Sequence, residues 1–188
     1  RIWPLFYSCV FFGFVIFPKL KLLLGQIPNE TATPFFYLTF LNNFDFLIKG
    51  IPDSSILGVL WSVAIEEQFY LVWPIIIFIF PIHKLWIPFS IIVLVNLIFR
   101  AYYDTFLIHE HHTISCIGDM TIGAIGAWLI NISENFKKQI ETLSKSKIAA
   151  IYFIFITLFF FRQELLFSHY GIRIFERMIF AFIILLII

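Results

Sequence analysis

Charge is scarce in this chain of 188 residues: aspartate, glutamate, lysine and arginine make up only 13% of it, about half the share of a soluble domain. That deficit excludes an ordinary water-soluble fold, because hydrophobic residues reach 61% and the mean hydropathy is +0.94. No basic stripe is present either. The net charge is +1 and the lysines and arginines are scattered between apolar blocks, which argues against a nucleic-acid partner. Cys9 and Cys116 are the only cysteines, both among apolar neighbours, and read as small buried hydrophobes rather than as a disulfide or a metal site. CxxC and HExxH are both missing, as are a signal-peptide pattern, an internal repeat and a low-complexity arm. The chain opens at Arg1 and stops inside the apolar run from Met178, so it reads as an internal fragment.

What is abundant is apolar and aromatic. Aromatic residues make up 20%, including 26 phenylalanines, a content that lipid-facing helices account for without any ligand. Apolar blocks run approximately over 2–24, 34–48, 57–80, 85–99, 114–132, 148–161 and 178–188. The expectation is an all-α, polytopic transmembrane helix bundle of about six to seven helices. It would form one membrane-embedded domain over 1–188, with a polar connector over about 133–147. The second block is short and carries Asn42, Asn43 and Asp45, so it reads as a tilted span, a re-entrant element or a buried segment. Pro74 lies inside a block and predicts a kink unless neighbours satisfy the carbonyl it frees. Loop charge assigns no orientation: if every block crosses, Arg1, Lys49, Arg100, Arg162, Arg173 and Arg177 face Lys19, Lys21, Lys84, Lys137, Lys138, Lys145 and Lys147.

Between Leu57 and Phe80 the chain holds about 24 residues, or roughly 36 Å of helix, enough to cross hydrocarbon. Near its middle stand Glu66, Glu67 and Gln68. A carboxylate at that depth costs about 2.5–3.5 kcal/mol, so two side by side call for partners, protonation or water. Helical spacing aligns Ser62, Glu66, Phe69, Tyr70 and Trp73 on one stripe and Val63, Glu67, Leu71 and Pro74 on the next. Glu66 is then in reach of Ser62 and Tyr70. Desolvation and a like-charged neighbour should raise a carboxyl pKa there, which suits general acid–base work or the orienting of a basic histidine. The competing reading lays Leu57–Ile65 flat at the interface, with both glutamates at a wet helix entrance.

The segment Trp61-Ser62-x-x-x-Glu66-Glu67-Gln68-Phe69-Tyr70-x-x-Trp73-Pro74 resembles the signature of the membrane-bound acyltransferase 3 family, whose members move acyl groups, often acetyl, onto sugars of cell-surface polysaccharides and related acceptors. Arg1-Ile2-Trp3-Pro4-Leu5-Phe6-Tyr7 looks like that family's Arg-Ile-x-Pro-x-Tyr entrance to a membrane helix. His112-Thr113-Ile114-Ser115, with Asp119, Gly123 and Ala127, is similar to a later family helix, although Cys116 stands where many relatives have arginine. The family's essential histidine lies on an earlier helix, ahead of the segment that Arg1 opens, so this stretch alone is expected to be inactive. The resemblance implies a multi-pass enzyme of the cell membrane, an O-acyltransferase with acyl-CoA as donor substrate and no cofactor. Its acceptor would be a carbohydrate or lipid-linked glycan. It casts Glu66, Glu67 and Ser62 as catalytic or supporting residues and Arg1, Trp61, Tyr70 and Arg100 as substrate-binding, with arginines meeting the phosphates of the donor. Glu66 is the preferred partner of the histidine.

Other clusters are read more plainly. His109-Glu110-His111-His112 has imidazoles spaced to meet zinc but lacks a confirming fourth ligand, and a solvated loop titrating near neutral pH is expected instead. Arg100 either snorkels to the interface or pairs with an intramembrane glutamate. Arg162, Arg173 and Arg177 with Glu164, His169 and Glu176 read as a charged surface loop. A different class of function remains open. A proton-coupled transporter could use Glu66 and Glu67 as proton carriers and Pro74 as a rocking point.

Overall fold

The computed structural model describes residues 2–187, and among them the regular structure is helical with no strand. The all-α expectation holds. The helices are α1 (Trp3–Leu23), α2 (Pro34–Leu38), α3 (Asn42–Lys49), α4 (Ser55–Gly58), α5 (Trp61–Ile79), α6 (Trp86–Tyr102), α7 (Phe106–His111), α8 (Thr113–Ile132), α9 (Glu134–Glu141), α10 (Lys145–Phe160) and α11 (Tyr170–Ile187). Among the described residues four spans are long and apolar enough to cross a membrane: Trp3–Leu23, Ser55–Ile79, Ile82–Tyr102 and Thr113–Ile132. A fifth is counted if α9 and α10, bent by 85°, form one broken span. This is fewer than the six or seven blocks predict, for two physical reasons. The 34–48 block is broken into α2 and α3 at Phe40, which sits at φ 54°. The last helix begins at Tyr170 rather than at Met178 and thereby takes in Arg173, Glu176 and Arg177.

The chain divides into two compact units. The first holds the residues up to Ile75 together with Thr105–Thr113. Its apolar centre is Phe6, Val10, Tyr37, Leu57 and Leu60, with Tyr7, Phe14 and Phe40 packed against it. Helix α1 is not uniform: Phe12–Ile16 forms a π-turn before the helix resumes at Phe17. Pro18 accounts for it, since it offers no N–H to the Phe14 carbonyl and the ladder must slip locally. Gly13 lies buried in that turn, and a Cβ there would come within 2.5 Å of Leu57 Cγ. Glycine is what lets α1 approach α4. Beyond α1, Lys21 bridges Asp53 at 2.6 Å, and Glu30 accepts the Ser54 N–H at 2.9 Å, fixing the chain that leads into α4. The lysine holds the Asp53 carboxyl below its ordinary range, chiefly through that hydrogen bond. Helix α5 runs unbroken through Pro74.

The second unit holds Ile76–Asp104 and the residues from Ile114 onward. Small residues let its helices close on one another, as membrane helix packing favours. A Cβ at Gly126 would collide with Leu185 Cδ1, and one at Gly118 would meet Asn96 and Met178 at 2.8 Å. Polar groups lie inside this packing. Arg100 is 1% exposed and donates from Nε to the Ile174 carbonyl at 2.9 Å and from Nη2 to the Arg173 carbonyl at 3.0 Å. Arg177 Nε donates to Asp119 at 2.6 Å, Arg162 pairs with the fully buried Glu176, and Arg173 pairs with Asp104. The expectation of a charged surface loop is therefore corrected: Arg173, Glu176 and Arg177 belong to α11, and their charges are neutralised where the helices pack. The polar 133–147 connector is partly helical. It contains α9, which Ser133 caps by accepting the Phe136 N–H at 3.3 Å.

Candidate functional site

The site grows from the second turn of α5. Ala64, Ile65 and Phe69 face inward and are buried, which turns Glu67, Gln68 and Leu71 together toward the α2–α3 reversal. There they line a cavity of about 510 Å³ with Trp3, Thr39, Phe40, Leu41 and Tyr70. The volume lies in the range of small-molecule sites, roughly 300–1,000 Å³. Its walls are mainly aromatic and aliphatic, with one carboxylate. The Trp3 indole Nε1–H donates to Glu67 Oε2 at 2.8 Å, linking the start of α1 to α5. Trp3 and Tyr70 are each 54% exposed, so two aromatic faces remain open beside the carboxylate.

Behind the cavity wall a closed polar ring fixes Gln68. Its Nε2 donates to the Phe40 carbonyl at 2.7 Å and to Asn43 Oδ1 at 2.9 Å, while its Oε1 accepts the Thr113 hydroxyl at 2.6 Å. Asn43, itself fully buried, completes the ring by donating to Thr113 Oγ1 at 3.0 Å and to the His111 carbonyl at 3.2 Å. Every donor in this ring has an acceptor, so a single arrangement of hydrogens satisfies it. The ring also ties α3, α5 and the junction of α7 with α8.

The placement of the expected site residues is uneven. Glu67 and Tyr70 line the cavity; Ser62, Glu66 and Trp61 are not among its lining residues. Ser62 does not reach Glu66, because its hydroxyl donates to the Val59 carbonyl at 3.4 Å near the start of α5. Glu66 is half-buried and has no hydrogen-bond partner among the described residues. Trp61 instead packs its ring 4.4 Å from that of His111. Arg100 is buried in the second unit, where it donates to main-chain carbonyls and helps hold α6 against α11, so it does not snorkel, and it is not among the residues that line the cavity. Arg1 lies outside the described residues.

The histidine cluster is not a solvated loop. His109 is 1% exposed, His111 stacks on Phe46 at 4.4 Å with its Nδ1 3.0 Å from the Leu107 carbonyl, and His112 meets Phe44 edge-on at 5.4 Å. Burial holds the His112 pKa below its ordinary value. Among the described residues no group of three His, Cys, Asp or Glu side chains is placed to hold a metal ion.

Trp3, Phe40, Gln68 and Asn43 are the site residues that sequence reasoning left without a role. Gln68 was visible beside the glutamates and Asn43 as a polar residue in a short apolar block. Their pairing across 25 residues, and with Thr113 across 45 and 70, has no local signature. Searches against protein families, curated proteins and solved structures find no match to the chain.

Proposed function

We propose that the protein is a multi-pass O-acyltransferase of the cell membrane, moving an acyl group, with acetyl the leading candidate, from acyl-CoA to a hydroxyl of a carbohydrate or cell-surface glycan. The observation that carries the reading is the Glu67 carboxylate, held by the Trp3 indole on the wall of a cavity of about 510 Å³ within an apolar span. The Trp-Ser-x-x-x-Glu-Glu-Gln-Phe-Tyr-x-x-Trp-Pro resemblance supports it. So do the open faces of Trp3 and Tyr70, which suit the apolar face of a sugar ring.

In this reading the acceptor hydroxyl gives its proton to a histidine base as its oxygen attacks the thioester carbonyl. The C–S bond then breaks and the CoA thiolate leaves, recovering the proton. Glu67 stabilises the imidazolium formed between those events, and the Trp3 indole N–H keeps the carboxylate from turning away. Glu67 replaces Glu66 as the preferred supporting carboxylate, because only Glu67 reaches the cavity. Membranes carrying the full-length protein, with the histidine-bearing helix that the resemblance places ahead of Arg1, should transfer labelled acetyl from acetyl-CoA to endogenous glycan; equal amounts of it without transfer to any glycan or glycolipid fraction would refute the reading.

A further inference from the structure

In the second unit, positive charge is distributed in two ways. At one end each arginine is engaged: Arg100 with carbonyls, Arg162 with Glu176, Arg173 with Asp104 and Arg177 with Asp119. At the other end Lys84, Lys137, Lys138, Lys145 and Lys147 are all exposed, and among the described residues none of them has an acidic partner. Trp128 Nε1 donates to the Ile82 carbonyl at 2.6 Å, which brings the Ile82–Lys84 turn to the end of α8 that leads into α9. Trp86, 54% exposed, follows that turn. Tryptophan at a helix end is the usual marker of the headgroup level.

Helix α9 meets α10 at 85°. If the apolar α10 enters the bilayer, α9 therefore lies along its surface. Its sequence fits that position: Phe136 and Ile140 share one half-buried face, while Glu134, Lys138 and Glu141 lie opposite. The Lys145 and Lys147 side chains extend the basic patch onto the first turn of α10. Five lysines against the two glutamates of α9 leave this end with an uncompensated positive field, whereas the arginine end is neutralised internally.

We infer that α9 and the lysines around it form a docking surface for anionic phospholipid headgroups, with Phe136 and Ile140 inserted at the acyl boundary and Lys137, Lys138, Lys145 and Lys147 drawing acidic lipid around them. The inference rests on the membrane location proposed above and is independent of acyl transfer. The test uses the full chain in vesicles of phosphatidylcholine and phosphatidylglycerol, with bromine on the acyl chains of one lipid or the other and tryptophan at position 136 through Phe136→Trp. The fluorescence difference from the parent protein isolates that reporter. Quenching should be about two-fold stronger when the bromine is on phosphatidylglycerol. It should become equal for the two lipids in high salt, or when the four lysines are changed to glutamine. A reporter that neither lipid quenches, equal quenching in the unmodified patch, or a preference that survives the lysine changes would each overturn the inference. So would loss of the preference to inorganic phosphate at matched ionic strength, which would assign the patch to a free anion. Quenching of the parent's own exposed Trp3 and Trp86 reports insertion separately, so a failure of the membrane reading is distinguishable from a failure of the docking surface.

Discussion

Changing Glu67 to glutamine separates charge from shape at the cavity. The carboxamide matches the carboxylate in size, and its oxygen can still accept the Trp3 indole N–H that lies 2.8 Å from Oε2. Trp3 is 54% exposed and Glu67 half-buried, so folding loses only the charge assistance of one partly wet hydrogen bond, about 1 kcal/mol or less. Catalysis loses more. A hydrogen bond to a group that becomes charged is worth about 1.5–3 kcal/mol, and each 1.36 kcal/mol is a factor of ten, so the transfer rate should fall about 10- to 150-fold. Trp3→Phe keeps the ring but removes the donor; Glu67 can then rotate, and a loss of about five- to ten-fold is expected from misplacement alone. Glu66→Gln, away from the cavity, should stay within about two-fold of the parent. The assay is transfer of labelled acetyl in membranes matched for protein content, with thermal unfolding in detergent as the folding control. Equal losses at the two glutamates, or parental transfer in the Glu67 variant, would refute the assignment of Glu67.

Three further expectations concern folding. Gly13→Ala places a methyl 2.5 Å from Leu57 Cγ and should cost about 1–3 kcal/mol, with the Gly13→Ala/Leu57→Ala double variant losing less than the sum of the singles in thermal unfolding. Additive losses would show that the contact does not set the α1–α4 approach. Removing either partner of the Arg162–Glu176 pair should have unequal effects, because their side chains are 39% and 1% exposed. Arg162→Met leaves a buried carboxylate uncompensated, at about 3–5 kcal/mol, whereas Glu176→Gln releases an arginine that water can reach, at about 1 kcal/mol; a reversed order in denaturation midpoints would contradict the burial. His112 is held below its ordinary pKa by desolvation, so the unfolded chain takes up the proton first as pH falls. Stability from this ring is complete above the ordinary histidine range, about 6.5, and is lost as pH drops through it and on toward the folded value. Melting temperatures from pH 8 to 5 should fall less in His112→Gln than in the parent, and parallel curves would remove His112 as the cause.

Hydropathy made the helices legible, and the two glutamates after the Trp-Ser start of α5 drew attention to the turn that borders the cavity. Periodicity alone did not tell which glutamate lines the cavity. It grouped Glu66 with Ser62 and Tyr70 as a stripe, but the cavity is made by α1 and the α2–α3 reversal, and those contacts select Glu67. The 34–48 block looked like a span because its apolar content is high; nothing local announces that Phe40 leaves the helical region. Arg173, Glu176 and Arg177 looked like surface charges because their partners, Asp104, Glu176's Arg162 and Asp119, are separated from them by 14 to 69 residues. Ion pairs across helices are tertiary facts. The histidines misled for the same reason: their apolar surroundings come from Phe44, Phe46 and Trp61, which are remote in sequence.

Phe40 carries a consequence for how a chain can reverse away from water. A left-handed backbone at a residue with a side chain costs about 1–2 kcal/mol, yet the ring is held 4.5 Å from Phe6 and 5.6 Å from Trp3, and its carbonyl is taken by Gln68. Irregular backbone survives in hydrocarbon only where protein, not lipid, receives its polar groups. With that carbonyl held by Gln68, the hairpin of two short helices can close one side of the cavity, and a segment too brief to traverse a bilayer still shapes the chamber beside α5.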